Sequence, residues 1–154
     1  MHVSDILTVE RTANDVPAGS KKRLLEKVSS LIAHSDPNLS EVEVFESLLS
    51  RERLGSTGVG RGVAIPHGRL AGVDRTVGAF VRLDEPVDYD AVDGQPVDLL
   101  FALLVPENST EEHLQLLATL AEMFSDEELL KRLHEAESPD TLHELLSHWH
   151  SEPT

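Results

Sequence analysis

Asp98-Leu99-Leu100-Phe101-Ala102-Leu103-Leu104-Val105, closed by Pro106, decides the fold class. Its apolar run, Leu99 to Val105, has the length of a strand and falls far short of the roughly 20 residues a membrane helix needs. A strand with one wet face alternates apolar and polar residues, whereas this one has no polar side and must be covered on both faces. Upstream, Thr76 to Leu83 reads as a second strand, with Val77, Ala79 and Val81 alternating against Phe80 and Arg82, and Asp93-Gly94 is a turn signal between the two. Further back, Val63-Ala64-Ile65 reads as a short buried strand stopped by Pro66, after glycines at 55, 58, 60 and 62 that break regular structure.

The cover comes from helices on either side of this block. Ser20 is a plausible N-cap for a helix over 20–34, whose Leu24, Leu25, Val28, Leu31 and Ile32 share one face. Ser40 and Glu43 form a capping box for a helix over 41–50 carrying Val44, Phe45, Leu48 and Leu49. Ser109 and Glu112 form another, ahead of Leu116, Leu117, Leu120, Ala121 and Phe124. Asp126 caps a short helix with Leu129, Leu130 and Leu133, and Ser138-Pro139 opens a last one with Leu142, Leu145, Leu146 and Trp149. Strands in the middle of the chain with helices before and after them give an α/β or α+β domain, one sheet with helices packed on it.

At 154 residues, 40% of them apolar, the chain is long enough for one domain with a real core. Thirteen Lys and Arg against 28 Asp and Glu leave a formal charge of −15. Such a surface repels phosphate backbones and anionic bilayers, which argues against nucleic-acid binding and membrane insertion. The same charge serves solubility, the steering of a basic protein partner or a salt-rich cytoplasm equally well. With no cysteine, disulfides and thiol chemistry are excluded. Met1 to Asp5 shows no basic stretch leading into an apolar run, so a cytoplasmic location is the simplest expectation.

Of eight histidines, His2, His34, His134, His143, His148 and His150 read as solvated side chains. His67 follows a buried strand and Pro66 and precedes Gly68, a setting that fixes an imidazole, while the glycine removes bulk behind the ring and leaves a backbone N–H open to an anion. A neutral imidazole held there is a competent nucleophile. A turn histidine bonded to a carbonyl fits the same letters. His113 falls in the first turn of its helix, where free N–H groups favour negative charge; a surface histidine fits there too. Arg51 could pair with a phosphoryl group or serve its helix C-terminus. The glycine segment lacks the Gly-Lys-Ser/Thr ending of a nucleotide loop. Spacings such as His-x-x-x-His are absent around both histidines, so neither a metal site nor a cofactor is expected.

The long segment Arg51-Glu-Arg-Leu-Gly-Ser-Thr-Gly-Val-Gly-Arg-Gly-Val-Ala-Ile-Pro-His67-Gly-Arg resembles the active-site segment of the enzyme IIA proteins of the bacterial phosphotransferase system, fructose–mannitol class. Gln95-Pro-Val-Asp-Leu-Leu-Phe-Ala-Leu-Leu-Val-Pro106, followed by His113-Leu-Gln, is similar to the second signature of that class. The likeness is nearest to the stand-alone, nitrogen-regulatory branch and runs from about Val3 to Leu146. It implies a single domain over 1–148, a central mixed sheet flanked by helices, with a polar tail over 149–154. It implies that His67 accepts a phosphoryl group on Nε2, that His113 stabilises it with Arg51 in support, and that Ser56, Thr57 and Gly68 shape the phosphate pocket. Some sugar-specific members carry an acid where this chain has Arg61, so the local field should be more positive here. The implied donor is a phosphohistidine carrier of the nitrogen branch, HPr-like, and the implied output is regulation of protein targets such as potassium transport or sensor-kinase components. Three other readings stand beside it: a sugar-specific IIA feeding a IIB permease domain, an unphosphorylated binding module, and a hydrolase or metal enzyme using His67 and His113.

Overall fold

The computed structural model describes residues 2–109 and 111–150. Helix α1 (Val3–Ile6) and a 3-10 turn (Val9–Arg11) lead into β1 (Thr12–Val16), followed by α2 (Lys21–His34) and α3 (Glu41–Glu52). Strands β2 (Gly58–Gly60), β3 (Val63–Ala64), β4 (His67–Leu70), β5 (Val77–Val87) and β6 (Val97–Pro106) come next. Helices α4 (Glu111–Met123), α5 (Glu127–Glu135) and α6 (Pro139–Ser147) close the fold.

The six strands form one mixed sheet in the order β1-β5-β6-β3-β2, with β4 also on β6. The apolar run is central strand β6, antiparallel to β5 and parallel to β3 and β4. Its period-two alternation divides the core into two layers. Leu99, Phe101, Leu103 and Val105 face α4, α5 and α6 with Val63, Ile65 and Phe80, whereas Leu100, Ala102 and Leu104 face α2 and α3 with Ala64, Ala79 and Val81. Both layers are dry, as the absence of a polar face requires.

Capping follows the sequence reading at Ser20, Ser40, Asp126 and Ser138, whose side chains accept from backbone N–H groups of the first turn. The box expected at Ser109 and Glu112 spans Thr110, which lies outside the described residues. The strand expected to stop at Pro66 ends at Ala64, and beyond Pro66 the chain pairs with the same neighbour again as β4, with Leu103 N–H donating to the Pro66 carbonyl at 2.9 Å. Within the glycine segment Gly58 to Gly60 pairs as β2.

Nothing in the sequence analysis anticipates α1 or β1. Strand β1 is short and polar at Asn14 and Asp15, and it lies at the sheet edge parallel to β5 with Thr12 opposite Phe80. Tertiary contacts hold this N-terminal segment. Arg11 donates through Nε to the Gly78 carbonyl and through a terminal nitrogen to the Ile6 carbonyl, each at 2.9 Å. Arg82, buried on β5, donates to the Leu133 carbonyl at 2.9 Å and to the Ala136 carbonyl at the end of α5, and meets Asp15 at 3.2 Å. Trp149, first residue of the stretch read as a tail, packs partly buried on the α4–α6 layer and donates to Asp126 at 2.9 Å. Residues 151–154 of that tail lie outside the described residues.

Two histidines read as solvated have protein partners. His134 sets one ring nitrogen 2.9 Å from the Leu130 carbonyl and the other 3.0 Å from Asp98. His143 Nε2 lies 3.0 Å from the Leu7 carbonyl, joining α6 to the chain just after α1. Their polar sequence neighbours gave no hint of partners 36 and 136 residues away.

Candidate functional site

The site lies where β4 forms the sheet edge, with α3 over one face and α4 over the other. Strand alternation continues across Pro66, with Val63 opposite Leu99 and His67 opposite Leu103. Val63 and Ile65 point into the α4 layer, and His67, two residues on, points the same way toward His113. Gly68 points the opposite way, against α3. A Cβ there would strike the Ser47 hydroxyl and lie 2.9 Å and 3.0 Å from the carbonyl carbon and oxygen of Ser47. The absence of a side chain therefore lets α3 close onto β4, which is the use the structure makes of this glycine.

Between the two helices lies an open concavity of about 770 Å³. Glu43, Glu46, Ser47 and Ser50 of α3 line one wall, His113, Leu114 and Leu117 of α4 another, and His67, Gly68 and Arg69 the floor. Arg51 and Leu54 stand at its end. The imidazoles of His67 and His113 face each other with centroids 5.0 Å apart and planes tilted by 54°.

His67 is half-buried, and its Nδ1 lies 2.9 Å from the Ile65 carbonyl. A carbonyl only accepts, so Nδ1 carries the proton and donates, leaving Nε2 with the lone pair. Burial lowers the pKa of His67 below the usual histidine range, against the carbonyl bond that raises it and with help from Arg51. His113 is 6% exposed, and its Nδ1 has no hydrogen-bond partner among the described residues. A bare nitrogen buried there costs less than a stranded N–H, so we assign the His113 proton to Nε2. Its pKa is lowered to about 4 by burial first, then by His67, Arg69 and Arg51, so at neutral pH the ring is an uncharged donor. Arg51 is partly committed, donating to the Gly55 carbonyl at 3.0 Å beyond its own helix.

Ser56 and Thr57 do not line the concavity. Ser56 donates to the Tyr89 carbonyl at 2.9 Å. Thr57 is buried against Glu52, donating to that carboxylate from its backbone N–H at 2.8 Å and its hydroxyl at 2.6 Å. Lys21 meets the same carboxylate at 2.9 Å and lies over the Tyr89 ring, whose hydroxyl approaches Glu52 at 3.3 Å. This buried network ties α2, α3 and the Tyr89 loop together behind Arg51. Arg61 is elsewhere too. Its side chain donates to the Ser125 carbonyl at 2.6 Å, and the positive field on both imidazoles comes from Arg51 and Arg69. Arg69, Glu43, Glu46 and Leu114 are site residues that sequence reasoning missed; for Arg69 the signal was available, since it stands at the next same-face position after His67.

The stretch of chain that carries this site also matches known proteins. Residues 5–149 fit the family model described as phosphoenolpyruvate-dependent sugar phosphotransferase system, EIIA 2. The chain belongs to this family. Within EIIA 2, a nitrogen regulatory protein of Pseudomonas aeruginosa is 47% identical over 146 residues, covering 95% of each chain. The crystal structure of nitrogen regulatory protein IIA-Ntr from Neisseria meningitidis superposes with a TM-score of 0.88 at 48% identity, covering 94% of this chain and 98% of that one. A fructose-specific EIIA component of Haloferax volcanii is 35% identical, covering 96% of this chain and 97% of its own. Among the described residues no helix is long and apolar enough to cross a membrane, and no three His, Cys, Asp or Glu side chains group as a metal site would need.

Proposed function

We propose that this EIIA 2 domain is a phosphocarrier of the nitrogen-related branch, which takes a phosphoryl group onto His67 Nε2 from an HPr-like phosphohistidine carrier and alters its binding to regulated proteins accordingly. The observation that carries the reading is the Nδ1 bond to the Ile65 carbonyl. It selects the tautomer in which Nε2 is the nucleophile, on a ring whose lowered pKa keeps it neutral. In the transfer the Nε2 lone pair forms the new N–P bond while the donor histidine keeps the electrons of the bond that breaks. His113, uncharged with its proton on Nε2, donates to a phosphoryl oxygen, and Arg51 balances the charge. A phosphoryl group brings nearly two negative charges into the concavity, so a target that docks there with an acidic surface binds the unphosphorylated form only.

The test is labelling from phosphoenolpyruvate through enzyme I and the nitrogen-branch carrier. We expect an acid-labile, alkali-stable label on the wild type and none on His67→Ala, and slow transfer to His113→Ala with carrier binding intact. Full labelling of His67→Ala would move the acceptor role to another residue. The Haloferax volcanii relative, named as fructose-specific, supports a second reading in which phosphate passes on to a fructose or mannitol IIB domain. Rapid transfer from phosphorylated wild type to such a domain would favour it.

A further inference from the structure

We propose that Arg69 is a second cationic contact to the phosphoryl group on His67, a role that rests on the acceptor reading above. Arg69 stands two residues after His67 on β4, which puts its side chain on the same face and into the same concavity. Its backbone is fixed at two points, by the register with Val105 and by the Ser47 hydroxyl donating to its carbonyl at 2.9 Å. Its guanidinium, by contrast, is exposed and has no hydrogen bond or ion pair among the described residues, although Glu43 and Glu46 line the same concavity. Arg51 differs, having a nitrogen already on the Gly55 carbonyl. A side chain with an anchored base and an uncommitted fork is suited to meet two oxygens of a group that arrives and leaves. The field of Arg69 already reaches both rings, contributing to the lowered pKa of each.

In the transfer Arg69 exchanges neither proton nor electrons. It accompanies the phosphoryl charge as the donor's N–P bond breaks and the His67 Nε2–P bond forms. In the unphosphorylated protein the same guanidinium is open to a carboxylate on a docked target, and after transfer the phosphoryl oxygens occupy it. Arg69 thus links the chemistry to the discrimination between states.

The experiment compares wild type, Arg69→Gln, Arg69→Lys and His67→Ala in transfer from the phosphorylated nitrogen-branch carrier. It then follows the isolated phosphoproteins by phosphorus NMR and by hydrolysis rate. Because the head group is exposed and makes no hydrogen bond or ion pair among the described residues, Arg69→Gln should melt with the wild type. It should take label about ten- to a hundredfold more slowly, the loss expected for one charge-assisted contact. Its phosphorus resonance and hydrolysis rate should shift, and Arg69→Lys should recover part of the rate. Transfer to Arg69→Gln within twofold of wild type would overturn the proposal. So would slow transfer with an unchanged phosphorus signal and lifetime, which marks a residue that only docks the carrier. A wild type that takes no label, or a His67→Ala that does, would remove the acceptor reading and this inference with it.

Discussion

The most exacting consequence of the site concerns acid stability. His113 is 6% exposed, and burial lowers its pKa to about 4 from the ordinary histidine value of about 6.5. A depressed folded-state pKa has a definite sign. Above 6.5 neither state holds the proton and His113 contributes nothing; below it the unfolded chain binds a proton that the folded chain refuses. Stability is then lost as pH falls toward 4. At about 1.36 kcal/mol for each pH step between the ordinary histidine value and the lowered one, the loss reaches about 3 kcal/mol at pH 4. Removing the imidazole isolates this contribution, because every carboxylate titrates in both proteins. Chemical denaturation of wild type and His113→Gln at several pH values between 7 and 4 should give two curves that converge or cross. The variant should gain about 3 kcal/mol on the wild type across that range, whatever its penalty at pH 7. Curves that stay parallel within about 0.5 kcal/mol would mean that His113 protonates in the folded protein as readily as in the unfolded chain, and the neutral-donor account of this ring would fall.

Three further outcomes follow from particular contacts. Gly68→Ala drives a methyl group against the Ser47 backbone of α3. It should destabilise the fold by about 1–3 kcal/mol in denaturant, with Ser47→Ala relieving only part of the cost because the backbone contact persists. Glu52→Ala strands Lys21 and two Thr57 donors behind the site, and should cost about 3–5 kcal/mol by thermal unfolding. Arg82→Met deprives the Leu133 and Ala136 carbonyls of their donor. It should cost about 2 kcal/mol, and amide exchange should show α5 and β1 opening together.

The paired histidines show how far sequence reasoning reached and where it stopped. On the residues alone, the strand-proline-His67 sequence and the helix-opening position of His113 each favoured a bland reading, and only the longer resemblance reversed it. The bland reading of His67 is in fact part of the site, since the carbonyl bond that a turn histidine makes is what frees Nε2. Ser56 and Thr57 bond Tyr89 and Glu52 behind the site rather than lining the concavity, a difference that letters in a row do not express. Arg61 occupies a motif position too, yet its side chain is spent on the Ser125 carbonyl in the turn after α4.

By itself the sequence determined the periods. The unbroken run Leu99–Val105 demanded two dry faces, the stripes of α2 to α6 supplied the cover, and Ser, Asp and Pro signals set where most helices begin. These are local consequences of backbone geometry, residue by residue. Only the tertiary structure decided what stands opposite what: that α3 reaches β4 through Gly68, that the His113 ring comes to 5.0 Å from that of His67, and that Arg69 enters the concavity between them. It also decided that the polar Thr12–Val16 becomes a strand, held by Arg11 and Arg82 rather than by its own propensity. The reason is physical. Pairing across a sheet edge depends on which distant segment fills the remaining space and hydrogen-bonding capacity, and no short window of sequence contains both partners.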